Sequence, residues 1–145
     1  MNAEQIGDHI AARLALVREA QGAETDLGTR VYRGRRKIEV EQMPCAVLVE
    51  GGDVDIKANG RSGVVRGLLQ FALHAYVPCD PDNPNTAGHA ALRDLTRAVF
   101  ADPDTAFVRT LTYRGRDILP RADGTAFVLS VIEFSAEFVE DLANP

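Results

Sequence analysis

Tyr113-Arg114-Gly115-Arg116-Asp117-Ile118-Leu119-Pro120, a turn at Ala122-Asp123-Gly124 and an apolar-rich run from Thr125 to Glu140 form the stretch that decides the fold. Asp-Gly between two β-rich runs is a strong hairpin signal, because Gly supplies the positive φ that such turns need. In the second run Ala126, Val128, Ile132, Phe134, Ala136 and Phe138 share one parity, with Ser130 as the exception. Glu133, Ser135 and Glu137 point the other way and are expected to be wet. A two-residue period of this kind is a strand with one covered face. The closing hairpin is expected over 108–119 and 125–140, and nothing in it has the make-up of a reaction centre.

A second alternation lies upstream. Between Val64 and Val77, the residues Gly67, Leu69, Phe71, Leu73, Ala75 and Val77 oppose Arg66, Gln70, His74 and Tyr76. Ahead of it, Met43-Pro44 leads into Cys45-Ala46-Val47-Leu48-Val49, a continuous apolar run of the kind found in strands covered on both faces. Gly51-Gly52 marks a bulge or bend, after which Val54, Ile56 and Ala58 resume the strand with one side exposed, and Asn59-Gly60-Arg61-Ser62-Gly63 is the turn. Apolar residues at three- and four-residue steps predict a helix over 3–20 (Ala3, Ile6, Ile10, Leu14, Val17), ending into Gln21-Gly22. A second helix is predicted over 87–100 (Ala91, Leu92, Leu95, Ala98, Val99), capped by Thr86 and stopped by Asp102-Pro103-Asp104. Thr29 to Arg33 is a short strand. The order helix, strand, long hairpin, helix, long hairpin predicts an α+β fold, with two amphipathic helices on a mainly antiparallel, or mixed, sheet of about four or five strands.

The chain of 145 residues fits one domain over 1–145, and 46% hydrophobic with 26% charged residues is the balance of a folded globular protein. A net charge of -5 disfavours wholesale binding to nucleic acid, which needs a surplus of cations on one surface. The one local exception is Arg30, Arg33, Arg35, Arg36 and Lys37, with Tyr32 among them. No apolar run reaches the length of a membrane span and no secretory leader is visible, so a cytoplasmic site of synthesis is expected.

The familiar constellations of catalysis and ligand binding fail on spacing. Gly60-Arg61-Ser62-Gly63 lies between strands and misses the glycine spacing of a nucleophile turn. The loop Asp80-Pro81-Asp82-Asn83-Pro84-Asn85 lacks the glycine and glutamate an EF-hand requires, with Asn85 and Ala91 in their places. His9, His74 and His89 never pair at ligand spacing, Cys45 and Cys79 stand 34 residues apart, and no glycine-rich phosphate loop is present. The expectation is a protein with no catalytic residues, cofactor or metal.

Several features together resemble the tail terminator family of long-tailed bacteriophages, the minor tail protein U-like proteins, including relatives carried by prophages. They are the opening helix, the proline-interrupted approach to the apolar strand at Met43-Pro44-Cys45-Ala46-Val47, the helix 87–100, and Arg-Gly-Arg at 33–35 and 114–116. The close Phe134-Ser135-Ala136-Glu137-Phe138-Val139-Glu140-Asp141-Leu142 is similar to the end of many small tail-completion proteins. The resemblance covers most of the chain in order of elements, through diffuse motifs. It implies a structural subunit of the virion tail, assembled in the host bacterial cytoplasm. A homo-oligomeric, hexameric ring of such subunits would cap the tail tube, stop its polymerisation and prepare the tail for head joining.

Its partners would be further copies of itself, the tail tube protein and head-tail connector proteins, with nucleic acid only passing through the ring channel. On that picture, charge and loop placement put protein contacts at Arg33, Arg35, Arg36 and Lys37, at Lys57 and Arg61 on the hairpin tip, and at Arg114 and Arg116. Two alternatives are a head-tail connector or neck protein of similar size, and a small nucleic-acid-binding module using Arg30 to Lys37.

Overall fold

The computed structural model describes residues 1–59 and 63–145. The first helix, α1 (Ala3–Ala15), opens with a reciprocal cap in which the Asn2 side chain accepts from the Gln5 amide and the Gln5 side chain accepts from the Asn2 amide. It stops five residues short of the expected end. The Val17 carbonyl accepts instead from the Gly28 amide at 2.9 Å, so the chain after the helix folds back against its last turn. Only glycine allows that approach, since a Cβ on residue 28 would lie 2.4 Å from the Leu14 carbonyl oxygen.

Five strands follow: β1 (Val31–Arg33), β2 (Cys45–Asn59), β3 (Val64–Pro78), β4 (Leu111–Ile118) and β5 (Phe127–Asp141). They form one sheet in the order β1-β2-β3-β5-β4, antiparallel throughout except that β1 runs parallel to β2. The α+β fold with a mainly antiparallel, mixed sheet is as the sequence led us to expect. Between β3 and β4 the chain forms α2 (Pro84–Phe100) and the four-residue α3 (Thr105–Val108). Pro84 sits in the first turn of α2, where its missing N–H costs nothing, so the helix starts before Ala87 with Asn83 as its cap residue. Thr86 is therefore inside the helix rather than its cap. The Asp104 side chain accepts from the Phe107 amide and nucleates α3, which displaces the start of β4 from 108 to 111.

The helices cover one face. Against them lie Leu69, Phe71, Leu73, Ala75 and Val77 of β3 and Val128, Ser130, Ile132, Phe134, Ala136 and Phe138 of β5, all buried, with Ser130 donating to the Gly88 carbonyl. Ala126 is exposed, outside the strand. Ser135 departs from its expected wet position and is fully buried. The irregularity between Tyr113 and Gly115, where Gly115 has φ +152°, brings Arg114 over the helix-free face. There its Nε donates to Ser135 Oγ at 3.2 Å.

β2, β3 and β5 each have fifteen residues, a length of ~50 Å against a radius of gyration of about 15 Å for a compact chain of this size. β1 pairs only with residues 46–48 of β2 and β4 only with residues 130–136 of β5. The far ends of the three long strands therefore leave the body as a three-stranded arm. Its β2 edge carries the expected irregularity at Gly51-Gly52 and a second one after Val54, where Asp55 takes a left-handed φ of +53°.

Candidate protein-interface surfaces

The arm bears apolar side chains that the body does not cover. Ile56 is 48% exposed and Val139 49%, and Leu142, held to the arm by its amide donating to the Gly63 carbonyl, is 62% exposed. Gly67 leaves the room that Ile56 and Phe138 occupy, since a Cβ there would lie 2.8 Å from Ile56 Cδ1 and 3.0 Å from Phe138 Cε1. Lys57 is exposed on the arm, lining an open depression with Arg66, Leu68, Glu137 and Val139. Arg61, with the centre of the expected turn at 59–63, lies outside the described residues.

The basic segment is less available than its composition suggests. Arg33 reaches across the edge of the sheet to Asp8 Oδ1 of α1 and Glu50 Oε1 of β2, each at 2.5 Å. The Glu50 hydrogen bond outweighs the cost of partial burial and, with Asp8, raises the pKa of that guanidinium further. Arg36 lies over the Tyr32 ring at 4.2 Å, a cation–π contact, and Lys37 Nζ is 3.5 Å from Glu39 Oε1. Arg35 stands apart. It lines a small depression on the helix-free face together with Arg114, Gln70, Ala72 and Glu133, so the fold gathers two of the singled-out arginines at one place. Arg116 is exposed on β4, opposite Ile132 in register.

A larger depression, about 490 Å³, opens on the helix-covered face just past the end of β1. Leu69 and Phe71 line its floor, and Ala3, Glu4, Arg33, Glu50, Gly51 and Asp53 its rim. Four elements, α1, β1, β2 and β3, supply these residues, so no spacing in the sequence signals the site; the single cue is that Asp53 follows the Gly51-Gly52 irregularity.

The titratable groups away from these surfaces hold the fold together. His9 Nε2 lies 2.6 Å from Asp102 Oδ2, with Arg13 Nε 3.8 Å from the same oxygen and the His9 ring edge-on to Phe107. Burial works to raise the Asp102 pKa, but the Asp104 amide, His9 and Arg13 together bring it below the ordinary carboxylate value. Asp94, 2% exposed on α2, accepts from the Glu24 and Thr25 amides and from Thr25 Oγ1. His74 is half-buried on the helix-free face, and burial first, then Arg35, lowers its pKa against the opposing pull of Glu133. Among the described residues no group of three or more His, Cys, Asp or Glu side chains could hold a metal ion, and no helix is long and apolar enough to cross a membrane.

The two cysteines are free and differ in exposure. Burial pushes the Cys45 thiol up to about 11 despite Arg30 and Arg36 nearby, whereas Cys79 is only half-buried. At pH 8, iodoacetamide is expected to label native protein once per chain, at Cys79, and both positions in urea. Peptide mapping checks this, and labelling of native Cys45 at the Cys79 rate would show that the β2 core opens freely.

These surfaces, rather than a sequence likeness, describe the molecule: no family model matches the chain, and no curated protein matches it in sequence.

Proposed function

We propose that the protein is a structural subunit of a long-tailed phage or prophage, a tail terminator that works by shape and surface fit. Six copies close into a ring on the last ring of tail tube protein, halt tube growth and offer the other side to the head-tail connector. DNA passes through the central channel without being read. The observation that carries this reading is the three-stranded arm, which leaves the body with Ile56, Val139 and Leu142 exposed. Apolar side chains on a projecting, rigid sheet are favourable once another surface covers them, as a particle subunit requires.

The state of the basic segment counts against a nucleic-acid module. Arg33 is held between two carboxylates and Arg36 is drawn onto Tyr32, which leaves Arg30, Arg35 and the exposed Lys37 as the cations of the segment free for phosphate among the described residues. Counterion release from so few contacts gives weak binding.

Negative-stain microscopy of the purified protein mixed with tail tubes from the same phage or prophage tests the proposal. Six-fold rings confined to tube ends, with tubes that no longer elongate, are expected. Bare tube ends that continue to grow in the presence of excess protein would overturn it.

A further inference from the structure

We propose that copies of this chain join head to tail, with the outer edge of β4 of one copy seated in the acidic depression beside β2 of the next. The contact rests on the ring reading above and names the two surfaces that would build the ring.

The sheet ends differently on its two sides. At one end β4 is an open edge flanked by exposed Arg109 and carrying exposed Arg114, Arg116 and Tyr113, the last 47% exposed. Among the described residues none of these three arginines has a carboxylate within ion-pairing distance, and Arg and Tyr are the side chains that most often anchor protein interfaces. At the other end, past the last residue of β1, β2 is again an open edge beside the depression floored by Leu69 and Phe71. Glu4, Glu50 and Asp53 line it together with one cation, Arg33, which is already shared between Glu50 and Asp8 of α1. Glu4 and Asp53 have no cationic partner among the described residues.

Register places Tyr113 and Arg116 on the same side of the sheet as the depression. Tyr113 and Arg116 are opposite Phe134 and Ile132, which face the helices, and so do Leu69 and Phe71. A neighbour set beside the sheet, edge to edge, would bring the Tyr113 ring to the apolar floor. Arg116 would then reach the rim carboxylates, which a guanidinium can bind through two parallel hydrogen bonds, while Arg114 stays over the helix-free face with Ser135. The chain cannot satisfy itself this way, because β3 and β5 stand between β2 and β4. Each joined copy leaves one free edge and one free depression, so association continues until a ring closes. Side-by-side growth would also point every arm the same way, toward one neighbour in the tail.

Charge exchange tests the contact by sedimentation velocity. The wild-type protein is expected to associate with rising concentration, and less so with added salt. Glu4→Lys/Asp53→Lys and Arg116→Glu are each expected to stay monomeric, while their equimolar mixture associates again, since every junction then pairs opposite charges. Circular dichroism reports whether each variant is folded. Where a charge-reversed variant is not, Asp53→Asn and Arg116→Gln are each expected to weaken association about tenfold. Wild-type protein that remains monomeric at millimolar concentration, or folded variants that associate like wild type, would overturn the contact. Rings on tube ends formed by the charge-reversed variants would overturn it and leave the terminator reading standing. Charge-dependent association of free protein with no rings on tubes would do the opposite.

Discussion

Phe134→Ala is expected to lower stability by about 3–5 kcal/mol, a large part of the whole folding free energy of such a domain. Phe134 is fully buried at the middle of β5, with ring centroids 5.4 Å from Phe71 and 6.0 Å from Phe100. It thus ties two central strands to α2, and the void left by its removal is bounded by backbone hydrogen-bonded on both sides, which cannot collapse inward. For a chain of this length the midpoint of thermal unfolding should fall by about 10–15 °C. Phe134→Leu, which keeps most of the volume, should cost about half as much. A loss of only a degree or two in a circular-dichroism melt would show that the two helices, rather than the sheet centre, carry the fold.

The burial of Phe134 is legible in the sequence because period-two alternation is a local property. The same holds for Leu69 to Val77, for the Asp123-Gly124 turn, where Gly124 has φ +77°, and for the irregularity at Gly51-Gly52. Pairing is not local, and the chain does not disclose it. That β5 inserts between β3 and β4, and that β1 runs parallel beside β2, are choices among partners with similar patterns. Asp55 gives no warning either, since a left-handed residue other than glycine has no sequence signature and is fixed here by its neighbours in the arm. Ser135 escapes the pattern because parity assigns a face but does not say what covers it, and the cover is Arg114 from another strand.

The interface residues show the same limit more sharply. A run of cations reads as a basic patch, yet Arg33 is closed by Asp8 and Glu50, which lie 25 and 17 residues away. Conversely, Arg35 and Arg114 stand out in the sequence for unrelated reasons and meet at one depression. The acidic rim of Glu4, Glu50 and Asp53 is assembled from a helix terminus and two positions flanking an irregular stretch of strand, so it exists only once β2 has folded past β1. Charge in the sequence locates candidates, while exposure and partner decide which of them are free to meet another molecule.

Asp94→Ala should be the most damaging polar substitution, at about 2–4 kcal/mol. The carboxylate sits on the buried stripe of α2, a position where an aliphatic side chain would be expected from periodicity alone, and it receives three donors from a single loop. Its distances are 3.1 Å to the Glu24 amide and 2.7 Å to both the amide and the hydroxyl of Thr25. Next to it, Arg93 binds Glu24 through two hydrogen bonds of 2.7 and 2.8 Å, but that pair is exposed and contributes little. Truncating Asp94 leaves the loop donors to water that can reach them only partly. The loop runs directly into the turn at 27–29, where Gly28 packs on the end of α1, and from there into β1 and Arg33. Its release should therefore reach the rim of the acidic depression. Hydrogen exchange is expected to quicken at the Thr25 and Gly28 amides ahead of the strand centre, and Asp94→Asn, which keeps one acceptor oxygen, to lose less. Unchanged exchange at Gly28 in a destabilised Asp94→Ala would mean that the loop and the β1 edge are held independently. The depression would then owe its shape to the Arg33 pairs alone.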